Sequence, residues 1–95
     1  MFEWNENKSR KNEKKHGFSF DEVLDVFDDP NLLDWYDTEH SNEFEDRYHC
    51  IGCLAGFLVI LIVITDTNGM IRIISARKAT PNEEATYYEH IRKTT

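Results

Sequence analysis

Eight consecutive residues, Phe57 to Ile64 (Phe-Leu-Val-Ile-Leu-Ile-Val-Ile), are apolar, rich in β-branched side chains and free of polar alternation. Such a run needs apolar cover on both faces, as a strand in the middle of a sheet receives and an edge strand does not. The chain has 95 residues. A chain of that size builds one modest core from roughly 60–65% of its unfolded surface, so most of its other elements must serve as that cover. One domain spanning 1–95 is expected. The wider apolar stretch, Leu54 to Ile64, has eleven residues, short of the ~20 that cross a bilayer. No membrane partner is expected, and Met-Phe-Glu-Trp-Asn-Glu at the N-terminus does not read as a signal peptide.

The elements around the run follow from local signals. Residues 5–16 are rich in Lys, Glu and Asn and end in Lys14-Lys15-His16-Gly17, with cations where a helix dipole favours them and Gly where a helix stops. Ser19-Phe-Asp-Glu22 reads as a capping box opening a second helix over roughly 20–27, closed by Asp28-Asp29-Pro30. Leu32 to Tyr36 is a short strand candidate. Phe44 to Cys53 is a longer one, with Gly52 and Gly56 bracketing the turn into the apolar run. Asp66-Thr-Asn-Gly69 predicts a tight hairpin into a last strand, Met70 to Arg77. Thr80-Pro-Asn-Glu83 is a second capping box, with Pro at the first helical position, opening a helix to about Arg92. The expected fold is α+β: two N-terminal helices, a four-stranded, mainly antiparallel sheet and a C-terminal helix. Phe2 and Trp4 are expected to fasten the N-terminus to the core, and of Tyr87 and Tyr88 one ring should be buried and the other exposed.

Charge falls in blocks. Eighteen acids against eleven bases give −7, which alone argues against nucleic-acid binding, since phosphate contacts need clustered Lys and Arg. Yet residues 1–17 sum to +2 and 48–95 to +1, while 18–47 hold eleven carboxylates against Arg47 alone, for −10. One chain can thus offer a positive face and a negative face to two different partners. Cys50 and Cys53 are one C-x-x-C without a second pair, half a zinc site at most. Three apart on a strand, they point to opposite faces and read as reduced thiols. No nucleotide loop, zinc-protease or nucleophile-elbow motif occurs. His40 and His49, nine apart, read as solvated polar residues, and no metal or cofactor is expected.

The residues best suited to chemistry are bases set against the sheet. Met70-Ile-Arg-Ile-Ile-Ser-Ala-Arg77 places two guanidinium groups in an apolar strand. Each needs a carboxylate or a ligand phosphate there. Strand parity sends Arg72 and Arg77 to opposite faces unless the chain bends. Internal pairing, with Glu45, Asp46 or Glu83, is one reading; a phosphate clamp is the other. His16 is either a helix-end cap or a proton carrier.

Phe2-Glu-Trp-Asn5 with Lys8, Lys15-His-Gly-Phe-Ser-Phe20, Val26-Phe-Asp-Asp-Pro30 and above all Ile71-Arg-Ile-Ile-Ser-Ala-Arg-Lys-Ala79 together resemble the BrnT family of bacterial type II toxins, from residue 2 to about Tyr87. The resemblance implies a RelE/ParE-like fold, a metal-independent endoribonuclease in the cytoplasm, and inhibition by a BrnA-like ribbon-helix-helix antitoxin that alone contacts DNA. Carried over by position, the matching basic and polar residues are Lys8, Lys15, His16, Arg47, Arg72, Ser75, Arg77, Glu83 and Tyr87; an RNA-cleaving site built on them is expected to use His16, Glu45, Arg47, Arg72 and Arg77 for catalysis and Lys8, Lys15, Lys78 and Tyr87 for RNA contact. Here Asp46 stands where a second Glu is usual before Arg47, and Asp66 follows Thr65 where many members carry a base. A non-catalytic interaction or co-repressor module, or a gyrase-directed toxin, could occupy the same scaffold.

Overall fold

The computed structural model describes residues 1–94. Strand β1 (Phe2–Glu3) precedes helix α1 (Glu6–His16) and a 3₁₀ helix (Asp21–Asp28). Strands β2 (Leu33–Tyr36), β3 (Asp46–Leu54), β4 (Leu58–Thr67) and β5 (Met70–Lys78) follow, then helix α2 (Pro81–Thr94). The strands form one sheet in the order β1-β5-β4-β3-β2. All neighbours are antiparallel except β1, which runs parallel to β5. The α+β class stands, but the sheet is five-stranded and mixed. Two residues too short to show a pattern, Phe2 and Glu3, pair with Ile71 and Arg72. No helix among the described residues is long and apolar enough to cross a membrane.

The apolar run is the central strand, covered on both faces. Ile60, Ile62 and Ile64 point into a core with Phe20, Val23, Val26, Cys50, Ile73 and Ala76. Val59 and Leu61 point the other way, into a smaller cluster with Ile51, Ala79 and Tyr87. Between Ser19 and Asp29 the chain forms a 3₁₀ helix where an α-helix was expected. Phe20, Val23 and Val26 are all fully buried, and three residues per turn set such a repeat of three in line along one edge. The Ser19 amide donates to Glu22 Oε1 at 3.3 Å, but the Ser19 hydroxyl also donates to that oxygen, at 2.8 Å, instead of accepting from the Glu22 amide, so this capping box is only half formed. The second is complete: the Thr80 amide donates to the Glu83 carboxylate at 2.9 Å and the Glu83 amide to Thr80 Oγ1 at 3.2 Å.

Three local devices fix the frame of the site. Gly52 lies inside β3 rather than at a turn, and a Cβ there would come within 2.7 Å of Val26 Cγ1 and 2.9 Å of Leu32 Cδ1. The 3₁₀ helix therefore rests directly on β3 backbone. Asp29 then ties three elements together, accepting from the Cys53 amide at 2.8 Å, the Asn31 amide at 2.8 Å and the Tyr87 hydroxyl. Finally, Asn12 on α1 closes the edge of β5 beyond the two-residue β1. Its amide donates to Ala76 O at 2.7 Å and Phe18 O at 2.8 Å, and its Oδ1 accepts from the Ala76 amide at 3.1 Å. A side-chain amide thus stands in for the missing neighbour strand.

Candidate active site

The register of β5 on β4 shifts at Val63/Ile64, where Ile64 faces Ile73 but Val63 faces Ser75. Ile74 is the extra residue of a β-bulge, which resets the parity of everything after it. Arg72 opposite Thr65 and Arg77 opposite Leu61 therefore share one face, correcting the expectation that they point apart. Arg47 also lies opposite Thr65, and His49 opposite Val63. Three rows cross this face: Glu3–Arg72–Thr65–Arg47, then Ser75–Val63–His49–Trp35, then Arg77–Leu61–Ile51–Leu33. With strands ~4.8 Å apart, the backbones of Arg47 and Arg72 stand about 10 Å apart across Thr65. Helix α2 packs its Tyr87 and Ile91 on the third row and beyond. The first two rows, carrying Arg47, Arg72 and His49, are outside that cluster.

The guanidinium groups differ in commitment. Arg77 is held by Glu83 in a two-pronged pair, 2.8 Å and 3.0 Å. The bond to Glu83 raises the Arg77 pKa, and the same bond lowers that of Glu83. Arg72 is 47% exposed at its side chain and touches Glu3 at 3.2 Å. Arg47 meets Glu45 at 3.2 Å through one terminal nitrogen; its Nε is buried with no partner in the structure. The pairing reading thus holds for Arg77 with Glu83, while Arg72 is paired with Glu3 and with none of the three acids considered.

Beside Arg47 sits a constellation that sequence spacing did not suggest. His49 Nε2 and His40 Nδ1 each lie 2.9 Å from the same atom, Asp37 Oδ2. Asp37 Oδ1 accepts from the amides of Glu39 and His40, both at 3.1 Å. The loop is pinned to Arg47 backbone three times, by the Asp37 amide donating to Arg47 O at 2.8 Å, the Arg47 amide donating to Ser41 Oγ at 2.8 Å and the Ser41 hydroxyl donating to Arg47 O at 3.3 Å. Burial pushes the Asp37 carboxyl up, but the bonds from His49 and from the amide and ring of His40 outweigh it and hold the group at about 2. The exposed ring of Trp35 lies 5.5 Å from that of His49. His40 and His49 are therefore not simply solvated.

The other candidates divide by position. Lys8, Lys15 and His16 line one shallow cavity with Lys11, Asn12, Ile74 and Ser75, so α1 brings its bases to the β5 edge of the open face. Lys78 is exposed at the end of β5, opposite Ile60 and hence on the other face. Tyr87 is 2% exposed with its hydroxyl on Asp29. It is the core ring of the pair, Tyr88 being exposed, so direct RNA contact by Tyr87 is corrected to a packing role. Cys50 and Cys53 are free and belong to opposite clusters, and burial pushes the Cys50 thiol up to about 12. Among the described residues no group of three or more His, Cys, Asp or Glu is arranged to hold a metal ion.

Against known proteins, the family described as "Ribonuclease toxin, BrnT, of type II toxin-antitoxin system" matches residues 4–83. The crystal structure of the Brucella abortus ribonuclease toxin BrnT is similar in fold, with a TM-score of 0.66 at 23% identity over 84% of this chain and 97% of that one. No curated protein matches the sequence.

Proposed function

The chain belongs to the BrnT family of ribonuclease toxins of type II toxin–antitoxin systems, and from that premise we propose that it cuts RNA by metal-independent transesterification on the open sheet face. The 2′-oxygen attacks the adjacent phosphorus, the bond to the 5′-oxygen breaks, and the products carry a 2′,3′-cyclic phosphate and a 5′-hydroxyl. One observation carries the reading: Arg47 and Arg72 both lie opposite Thr65 of β4 and so share one face of the sheet. A phosphate between them meets two forks of the charge that a phosphorane needs. Each well-placed donor is worth about 3–4 kcal/mol in the transition state.

The remaining roles follow from what each side chain touches. Glu45 holds one nitrogen of Arg47, so it orients that cation rather than carrying the proton. Arg77, its fork filled by Glu83, secures the start of α2. Lys8 and Lys15 guide the RNA backbone along the β5 edge, and protonated His16, beside Ser75, gives a proton to the leaving 5′-oxygen. Lys78, on the far face, takes no part in this site.

The acidic segment 18–47 is the surface for the antitoxin. Asp25, Asp28, Asp34, Glu39, Glu43 and Asp46 on it are exposed, as is Phe44 at 85%. That combination suits a basic partner with an apolar anchor, and a DNA-binding antitoxin of the BrnA type carries such a basic region. DNA is met only through it.

Induction of the wild type, Arg72→Ala and His16→Ala, with primer extension on cellular transcripts, tests the reading. The wild type should arrest growth and cut transcripts, and both variants should do neither. Arrest without cleavage would point to a gyrase-type target, and undiminished cleavage by both variants would remove the assignment.

A further inference from the structure

We propose that His49 is the group that takes the proton from the attacking 2′-hydroxyl, with Asp37 and His40 as the positioning residues that hold it. The assignment rests on the nuclease reading above and names the base that reading lacks.

The geometry carries it. Asp37 Oδ1 accepts from two backbone amides, and a carboxylate can only accept, so at the 2.9 Å contact of Oδ2 it is His49 Nε2 that bears the hydrogen and donates. In the neutral ring Nδ1 is then the acceptor, and no described residue bonds to it. The ring is fixed from behind by a loop pinned three times to Arg47 backbone and flanked by Trp35. It stands in the row next to Arg47 and Arg72, on the face that α2 leaves open. His16 enters the same row from the opposite edge, beside Ser75. A scissile phosphate over Val63 would thus have one imidazole on either side and two guanidinium groups along one flank.

The step balances without a further reactant. His49 Nδ1 accepts the 2′-hydroxyl proton as the O2′–P bond forms. The P–O5′ bond breaks, and the 5′-oxygen takes a proton from His16. Solvent then returns one proton to His16 and removes one from His49. The charged or titratable groups around His49 are Tyr36 at the end of β2, Asp37, Glu39 and His40 from the loop after it, which share a cavity with His49, Arg47 on its own strand and Arg72 on β5. On α2, Glu83 shares a small cavity with Trp35 but is already taken by Arg77.

Single-turnover cleavage of a short RNA by the full chain in EDTA, from pH 5 to 9, tests this. Wild-type rate should follow a bell, with a rising limb from the base and a falling limb from the acid. His49→Ala should be slower by about 10²–10⁴-fold, should lack that rise, and should recover with added imidazole. His49→Gln keeps an N–H for Asp37 yet cannot carry a proton, and should be equally slow while folded normally. Asp37→Asn should slow the reaction less and move the rising limb. If His49→Gln retains the wild-type rate and profile while Arg72→Ala is impaired, the assignment to His49 falls and the nuclease reading stands. If His49→Ala is slow but unrescued, with the rising limb intact, His49 is merely structural and the proposal also falls. A wild type that leaves RNA intact overturns the nuclease reading and the assignment together.

Discussion

Asn12→Ala should be the most damaging polar substitution in the molecule. It removes the amide that serves as the neighbour of β5, leaving the Ala76 N–H, the Ala76 carbonyl and the Phe18 carbonyl without their partner. Ala76 is fully buried, and each buried group left unmade costs about 1–3 kcal/mol. Water can reach the partly buried Phe18 carbonyl, so the loss comes to about 3–5 kcal/mol. A chain of this length holds only about 5–14 kcal/mol in all. With a urea m-value of about 1.5 kcal/mol/M, the midpoint should fall by about 2–3 M at unchanged slope. Asn12→Asp keeps the shape and the bond from the Ala76 amide but sets a carboxylate against two carbonyl oxygens, and should be at least as harmful. Because α1 carries Lys8, Lys15 and His16, cleavage should fail wherever α1 detaches. A loss below about 1 kcal/mol for Asn12→Ala would refute the idea that this side chain closes the sheet edge.

Three further outcomes follow. Gly52→Ala drives a Cβ into Val26 and Leu32 at under 3 Å and should cost about 1–3 kcal/mol, read as a lowered thermal midpoint, with Gly56→Ala as a control for a site that has room but strained backbone. Asp37 is held at about 2, below the ordinary 3.8. Its contribution to stability is therefore complete above about pH 4 and is lost as pH falls toward 2, because the unfolded chain takes the proton first. Acid titration of Asp37→Asn should lack that portion of the fall. Binding of a BrnA-type antitoxin should weaken steeply with salt, and an affinity unchanged between 50 and 500 mM NaCl would contradict a docking role for the acidic segment.

What could be read in the sequence was what local chemistry encodes. The apolar run demanded two covers and has them, Asn68-Gly69 makes the hairpin, and Lys14-Lys15-His16-Gly17 ends α1 with Gly17 at φ 86°. What escaped depends on partners distant in the chain. Phe2-Glu3 becomes a strand only because β5, some seventy residues later, offers an edge. Phe20, Val23 and Val26 fit both an α-helix and a 3₁₀ helix until packing on Gly52 selects the tighter one. The bulge at Ile74 has no Gly or Pro to mark it, so parity sent Arg72 and Arg77 apart. The same distance hid most of the site. Lys15, His16 and Arg72 stood out as bases beside apolar sequence, but Asp37, His40 and His49 form a unit only when β2 pairs with β3 and folds the loop back onto Arg47. The Glu83 that fills the Arg77 fork was visible both as a capping residue and as one of the carboxylates considered as an arginine partner.

The central claim is that paired guanidinium groups on an open sheet face cut RNA through its own 2′-oxygen. The most direct measurement is product-end analysis of an RNA oligonucleotide incubated with the chain in EDTA, beside the same oligonucleotide with a single 2′-deoxy sugar at the cleaved position. The account predicts a 2′,3′-cyclic phosphate and a 5′-hydroxyl from the first and an intact second strand. Cleavage of the 2′-deoxy strand, or 5′-phosphate ends from either, would contradict it.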